Sequence, residues 1–170
     1  PWQAIAQDAP MSNHELSVSG RSEKVNYYIS GSYTDMKGRI IGDNFSRLSA
    51  RLNLDVAVTD WLNIGTNSGY TKKDYSGVTA NLEFASYLSP FSSFFYEDGA
   101  IRNLPMGDGI APNPIRASLS NDNLQLTNTF FNNLYADIAL PISGLTYRFN
   151  LGNNFRFNDD ANFTPAINEP

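Results

Sequence analysis

The sequence predicts an all-β fold: an antiparallel, up-and-down segment of a transmembrane β-barrel, with about six long strands and one large extracellular loop, forming part of a larger barrel. Apolar and polar residues alternate with a period of two over runs of roughly ten residues, the length that a tilted strand needs to cross a bilayer. Tight and long connections also alternate along the chain. One end of the sheet therefore carries only short turns, which is typical of membrane-spanning barrels.

The clearest element is a hairpin over residues 46–70. The even positions from Leu48 to Val58 are all apolar, whereas the odd positions between them are mostly polar or charged. The even positions from Leu62 to Tyr70 form the matching face of the second strand. A three-residue loop would pair Val58 with Leu62, which keeps both apolar faces on the same side of the sheet.

The same alternation marks four further runs on either side of this hairpin. Four-residue links at 21–24 and 141–144 absorb the changes of parity between neighbouring runs. Long connections at 35–45 and 72–123 lie at the opposite end of the sheet. The first dozen and the last dozen residues are predicted to be irregular. The predicted strands lie near residues 14–20, 25–34, 46–58, 62–71, 124–140 and 145–157.

Residues 72–123 lose the alternation and hold four prolines. A loop of this length without structure of its own is unusual unless it is functional or disordered, and we expect a short helix over 79–88. Exposed aromatic clusters mark binding surfaces, and aromatic faces suit sugar rings. The alternative is that the rings pack the loop against itself or against the barrel rim. The candidate substrate or partner contacts are Phe91, Phe94, Phe95, Tyr96, Asp98 and Arg102.

The polar face of the strands carries charged residues that need contact with water. If the apolar face meets lipid, the charged residues line a wet lumen. The predicted lumen-lining residues are Arg47, Arg51, Asp55, Asp137 and Arg148. A six-stranded sheet has two unpaired edges, which hydrocarbon does not tolerate, so the sequence predicts a piece of a larger barrel.

Composition and motifs exclude several classes of function. The net charge of −5 argues against nucleic-acid binding, and the absence of cysteine excludes disulfides and thiolate metal sites. No phosphate-binding glycine loop, nucleophile elbow or zinc-protease motif is present. The single histidine, His14, cannot make a zinc site alone. We therefore expect no enzymatic activity, no cofactor and no metal.

Short stretches of the sequence resemble one family when they are taken in order. They are residues 13–20 (NHELSVSG), 27–30 (YYIS), 51–55 (RLNLD), 59–65 (TDWLNIG), 96–99 (YEDG), 113–115 (NPI) and 144–152 (GLTYRFNLG). Each stretch is a weak signal alone, but their order and spacing are fairly specific. Over nearly its whole length the chain resembles the SusC/RagA-like TonB-dependent transporters of Bacteroidota outer membranes.

The resemblance implies a bacterial outer-membrane protein with a barrel of about 22 strands and an internal plug. It further implies energy supplied through TonB, and a SusD-like surface lipoprotein that delivers oligosaccharides or peptides. The plug and the TonB contact are not among these residues, so we expect the chain to supply a section of the barrel wall and a large extracellular loop. Several of the lumen-lining residues would then contact the plug rather than substrate.

Two functions of different classes follow. The first is a section of an outer-membrane importer, in which loop 72–123 contributes to a substrate vestibule or to the lipoprotein interface. The alternative is a soluble or surface-attached β-sheet module that binds glycans through its aromatic loop, and whose apolar face is covered by its own core. A hydrolase is disfavoured, because no nucleophile and base are visible as a pair.

Overall fold

A computed structural model describes residues 2–107, 109 and 111–166 of the chain. Six strands form one antiparallel sheet in which every strand pairs with its neighbour in sequence, as predicted. The strands are β1 (Met11–Arg21), β2 (Val25–Lys37), β3 (Asn44–Thr59), β4 (Leu62–Asp74), β5 (Asp122–Ala139) and β6 (Thr146–Phe163). The turns after β1, β3 and β5 are short, and the connections after β2 and β4 leave from the opposite end.

The turn of the central hairpin is tighter than predicted. Thr59, not Val58, pairs with Leu62, so only two residues connect the strands. A bulge between Ala57 and Thr59 takes up the extra residue, since a bulge places two residues opposite one. Beyond the bulge Val56 pairs with Ile64, as the predicted register requires. Both apolar faces therefore stay on one side of the sheet.

Several strands extend beyond their hydrophobic pattern. Residues 159–163, predicted to be irregular, continue β6, because the long β5 offers backbone partners as far as Asp122. In the same way β1 begins at Met11, within the segment predicted to be irregular, because it pairs with Met36 near the end of β2. Backbone pairing rather than side-chain polarity sets these ends.

One face of the sheet is apolar and uncovered. The register aligns apolar residues into rows across strands, for example Val18, Ile29 and Leu52 on β1, β2 and β3. Leu16 is 76% exposed and Phe157 is 62% exposed. No second layer packs on this face within the described part of the chain, so the sheet is a single-layered wall. Hereafter this side is the apolar face, and the opposite side is the polar face.

The buried core lies outside the wall, at the end that carries the long connections. We define the loop unit as residues 2–10, 38–43, 75–107, 109 and 111–121. It contains a 3₁₀-helix (Trp2–Ile5) and two short α-helices, α1 (Leu82–Tyr87) and α2 (Arg116–Ser120). Among the described residues, no helix has the length and apolar character needed to cross a membrane. The buried apolar residues of the loop unit are Ile5, Ala80, Ala85, Leu88, Phe94, Ala111 and Ile115.

Glycines on the polar face seat aromatic rings of the next strand. Gly65 pairs with Tyr135, and a Cβ at Gly65 would lie 2.3 Å from the tyrosine Cζ. Gly69 pairs with Phe131, whose ring would lie 2.2 Å from an added Cβ. Each ring therefore fills the space that a side chain at the opposite glycine would occupy, and a larger residue there would force the ring to move.

Replacing Gly65 with alanine should weaken the wall. The added methyl group forces the end of the Tyr135 ring to move, and loss of the hydrogen bond from its hydroxyl to Asp55 costs about 1 kcal/mol. Urea unfolding of the full-length protein in detergent measures this loss. Gly152→Ala is the matched control, because a Cβ at Gly152 meets only Asn133 Oδ1 at 3.7 Å. Equal free energies of unfolding for Gly65→Ala and Gly152→Ala would contradict the close contact between Gly65 and the Tyr135 ring.

Candidate functional site

The polar face carries a hydrogen-bonded network near the short turns. The Tyr135 hydroxyl reaches across β4 and donates to the Asp55 carboxylate on β3. Arg148 on β6 donates from Nε and Nη2 to the two carboxylate oxygens of Asp137, at 2.5 and 2.6 Å. The Arg148 guanidinium also lies 5.5 Å from the centre of the Tyr135 ring. The network therefore links β3 to β6 along one side of the wall.

Two further predicted lumen residues lie on the same face, nearer the long connections. Arg47 donates to Thr34 Oγ1 at 3.5 Å, and Thr34 donates to Asn13 Oδ1 at 2.8 Å. Arg51 lines the same concavity as Arg47 and Glu15. The register thus brings all five predicted lumen residues to one face, in two groups. The predicted lumen-lining residues did not include Tyr135, which contacts both Asp55 and Arg148. A single tyrosine on the polar face of a strand gives no sequence signal that sets it apart.

The loop unit is organised by the buried side chain of Asn113. Its Nδ2 donates to the carbonyl oxygens of Phe94 and Arg102, both at 2.8 Å, and its Oδ1 accepts from the Ile115 N–H at 3.1 Å. The side chain is 3% exposed and Pro114 beside it is fully buried. One asparagine therefore fixes two distant segments of the long loop, which satisfies the rule that buried polar groups are bonded.

Backbone hydrogen bonds fasten the long loop to the rest of the unit. The Ala80 N–H donates to Ile41 O at 2.8 Å, and the Ile41 N–H donates to Ile5 O at 3.0 Å. Gln7 adds side-chain bonds from Nε2 to the carbonyl oxygens of Gly38 and Ile40. Three segments that are distant in sequence thus form one packed body. The apolar side chain of Ile5, in the lead-in that was expected to be irregular, contributes to its core.

A short helix within the predicted range 79–88 is present, but it begins later. Asn81 caps α1 by accepting the Phe84 N–H at 3.0 Å, so helical residues start at Leu82. Helix α2 was not predicted. Its five residues, RASLS, carry neither a side-chain cap nor a helical apolar stripe.

The candidate contact residues of the loop divide into exposed and buried members. Phe91 is 96% exposed, and Phe95 and Tyr96 are also exposed. The Arg102 guanidinium lies 4.7 Å from the centre of the Tyr96 ring. Phe94, in contrast, is 7% exposed and belongs to the core, so its ring packs the loop against itself.

Asp98 and Arg102 shape this exposed tip. Asp98 Oδ1 accepts the Ala100 N–H at 2.9 Å and so closes the turn. The Nε of Arg102 is buried and has no hydrogen-bond partner within the described ranges. The tip therefore offers aromatic rings beside one cation, a combination that suits a ligand with apolar and anionic or polar parts.

A cavity of about 470 Å³ opens beside the tip. Its walls are mostly apolar, and the hydroxyls of Ser92 and Ser93 already donate to carbonyl oxygens of the loop. A cavity of this size is in the range that holds small ligands or side chains. Its lining residues are Ala4, Ile41, Pro90, Ser92, Ser93, Phe94, Phe95, Ile115 and Leu119.

Asn113→Asp should loosen the loop unit without unfolding the wall. The carboxylate keeps the acceptor for Ile115 but cannot donate to the Phe94 and Arg102 carbonyls, which costs about 1–3 kcal/mol. Hydrogen exchange measured by mass spectrometry should show faster exchange across the unit and unchanged exchange in the strands. Glu97→Gln, an exposed change in the same loop, is the control. Unchanged exchange in Asn113→Asp would contradict the organising role.

The chain is similar in sequence to proteins named TonB-dependent receptors. It is 28% identical over 95% of its length to TonB-dependent receptor P39 of Formosa agariphila, and 27% identical over 97% of its length to TonB-dependent receptor P3 of the same organism. It spans 15% and 18% of the length of these relatives. No protein-family model matches the chain.

The fold is that of a solved transporter. The sheet and loops superimpose on the RagAB peptide importer in its closed-closed state with a TM-score of 0.72 and 23% identity, covering 95% of this chain and 19% of that one. The open-open state gives a TM-score of 0.71 and 24% identity over the same share of this chain. These likenesses confirm the predicted fold class, a β-barrel wall segment. Together with the sequence relatives they confirm the resemblance to SusC/RagA-like TonB-dependent transporters.

Proposed function

We propose that the chain is a section of the barrel wall of a bacterial outer-membrane, TonB-dependent importer for oligosaccharides or peptides. The observation that carries the proposal is the similarity to proteins named TonB-dependent receptors, which extends over nearly the whole chain. TonB and the plug would act through other parts of the full-length protein. Residues 1–170 would form one structural section, without enzymatic activity.

The dimensions of the apolar face support a position across a bilayer. On β6 the apolar positions run from Tyr147 to Phe157, about ten residues. At roughly 3.4 Å per residue and a tilt near 45°, this run is about 24 Å high, which matches the apolar band of outer-membrane barrels. Aromatic residues lie at both ends, with Trp61 by the short turns and Tyr33 at the other end. Such aromatic residues suit the two membrane interfaces.

The alternative of a soluble or surface-attached glycan-binding module fits less well. A soluble sheet of this kind needs a second layer over its apolar face, and within the described ranges nothing lies there. The core that is present belongs to the loop unit and leaves the wall uncovered. The uncovered face therefore favours lipid as its neighbour.

In this proposal the loop unit lies on the cell exterior. The exposed tip around Phe91, Phe95 and Tyr96, with Arg102, would contact substrate or a SusD-like surface lipoprotein. RagAB, whose fold this section shares, is described as a peptide importer, which supports peptides as one substrate class. The charged residues of the polar face would line the lumen, where they contact water or the plug.

Replacing Phe91, Phe95 and Tyr96 together with alanine should lower uptake by about tenfold or more, since aromatic anchors dominate binding interfaces. Uptake of labelled peptides and oligosaccharides by cells that carry the full-length variant measures the effect, and co-purification of the lipoprotein measures partner capture. Leu104→Ala, an exposed apolar change in the same loop, is the control.

Heat-modifiable migration on gels shows whether the variant barrel is assembled. Assembled barrel with unchanged uptake and unchanged lipoprotein capture would refute the role of the tip. Absence of the full-length protein from outer-membrane fractions would refute the importer assignment itself.

A further inference from the structure

Cationic side chains gather on the polar face, in the half of the wall that is nearer the loop unit. Arg47 and Arg51 on β3 both line a concavity of about 280 Å³ on this face. Lys73 on β4 pairs directly with Arg47 across the two strands. Arg156 on β6 lies on the same face, in the row between those of Arg47 and Arg51. We name these four residues the cationic strip.

The wall offers little negative charge to balance the strip. In the three cross-strand rows that contain it, Glu15 is the one carboxylate among the described residues, and Asp160 lies one row nearer the loop unit. No ion pair joins either carboxylate to the strip within the described ranges. Arg47 bonds only to the neutral hydroxyl of Thr34. The charges of the strip are therefore left without an anionic partner in this part of the protein.

The pairing of Arg47 with Lys73 is unfavourable for the wall alone. Like charges directly opposite each other on antiparallel strands repel and lower the stability of the pair. An anionic group placed between the two side chains would reverse this effect, because both would donate charge-assisted hydrogen bonds to it. The register therefore indicates an anionic partner from outside these 170 residues.

The other half of the polar face, near the short turns, differs in its charges. There Arg148 donates to both carboxylate oxygens of Asp137, and Asp55 accepts from Tyr135. Charges of both signs lie together in that half and bind one another. The chain as a whole has a net charge of −5, so the strip is not a result of basic composition. Unbalanced positive charge is thus specific to the half of the face beside the loop unit.

The concavity beside the strip combines charge with other binding groups. The ring of Phe131 lies at its base over Gly69, and Tyr28 adds a second ring. Serine and threonine side chains of the neighbouring strands, among them Ser49 and Thr71, complete its lining. Guanidinium groups bind carboxylates through two parallel hydrogen bonds, and aromatic rings pack on the apolar parts of a ligand. The concavity therefore suits a polar chain that carries carboxylates.

We propose that the cationic strip binds carboxylate groups of the transported substrate, so that the importer favours acidic peptides or acidic oligosaccharides. This inference rests on the proposed function and narrows its substrate class. With the loop unit on the cell exterior, the strip lies in the outer half of the lumen, which substrate reaches first. Positive charge in a cleft raises the local concentration of an anionic ligand. The other source of carboxylates is an acidic segment of the full-length protein inside the lumen, and the experiment separates the two.

Uptake of matched substrates by cells that carry the full-length protein tests the inference. One pair is a labelled peptide with aspartates and the same peptide with asparagines, and the other is oligogalacturonate and its methyl ester. Wild type should import the acidic member of at least one pair faster. Arg47→Gln with Arg51→Gln should lower uptake of that member by roughly fivefold, as expected for loss of two exposed ion pairs, and should leave the neutral member unchanged.

Arg21→Gln is the matched control, because it removes the same charge from the polar face at the short turns. It should leave the preference for the acidic member unchanged. A wild type that imports these substrates without preference, or a double variant that keeps the preference, would overturn the inference. Import of none of the four substrates by wild type would instead refute the importer assignment on which the inference rests.

Lys73→Gln distinguishes substrate binding from a structural role of the strip. Because this change removes the repulsion with Arg47, the unfolding temperature in detergent should stay the same or rise, while the preference for the acidic substrate falls. If an acidic segment of the protein itself neutralises the strip, the unfolding temperature should fall instead, and uptake of acidic and neutral members should fall equally. That result would overturn the inference.

Discussion

Cross-strand register is the constraint on which the rest of this structure depends. Side chains alternate between two faces, so a slip by one residue would exchange the apolar face with the polar face. The bulge beside Thr59 keeps the register of the central hairpin although its turn is shorter than the pattern suggests. On the polar face the Tyr135 ring adds to this specificity, because its present position is open only where the residue opposite, Gly65, has no side chain. Backbone pairing and side-chain seating therefore enforce the same alignment.

The wall and the loop unit are stabilised in different ways. The wall has almost no buried side chains of its own, and its strands are held by backbone hydrogen bonds and, on the polar face, by pairs such as Asp137 with Arg148. The loop unit has a conventional apolar core around Ile5 and Phe94, with Asn113 bonded inside it. The contacts that stabilise the loop unit are therefore largely separate from those that hold the strands of the wall together.

The sequence could predict the wall far better than the loop unit, and the reason is physical. A period-two pattern reports directly on which face a residue occupies, so the strands and the two faces could be read from single residues such as Leu52 and Arg51. The loop unit is built by contacts between distant segments, for example Ile5 with Ile41. No local pattern distinguishes Phe94, which is buried, from Phe95, which is exposed. Strand ends were also missed, because residues near Asp159 pair through the backbone whatever their side chains.

Polar side chains on the two faces of the wall differ in the hydrogen-bonding partners that surround them. On the polar face Asp55 and Asp137 have side-chain partners close by, and in the proposed importer the water of the lumen would replace any that were lost. On the apolar face the lipid of the proposed importer would offer no replacement, so a group such as the Asn153 amide would be tolerated only at a cost in free energy. A polar residue is therefore expected on the polar face, whereas on the apolar face its presence needs an explanation. The sequence pattern predicts which face a residue occupies, and the register adds which polar residues of different strands lie side by side on the apolar face.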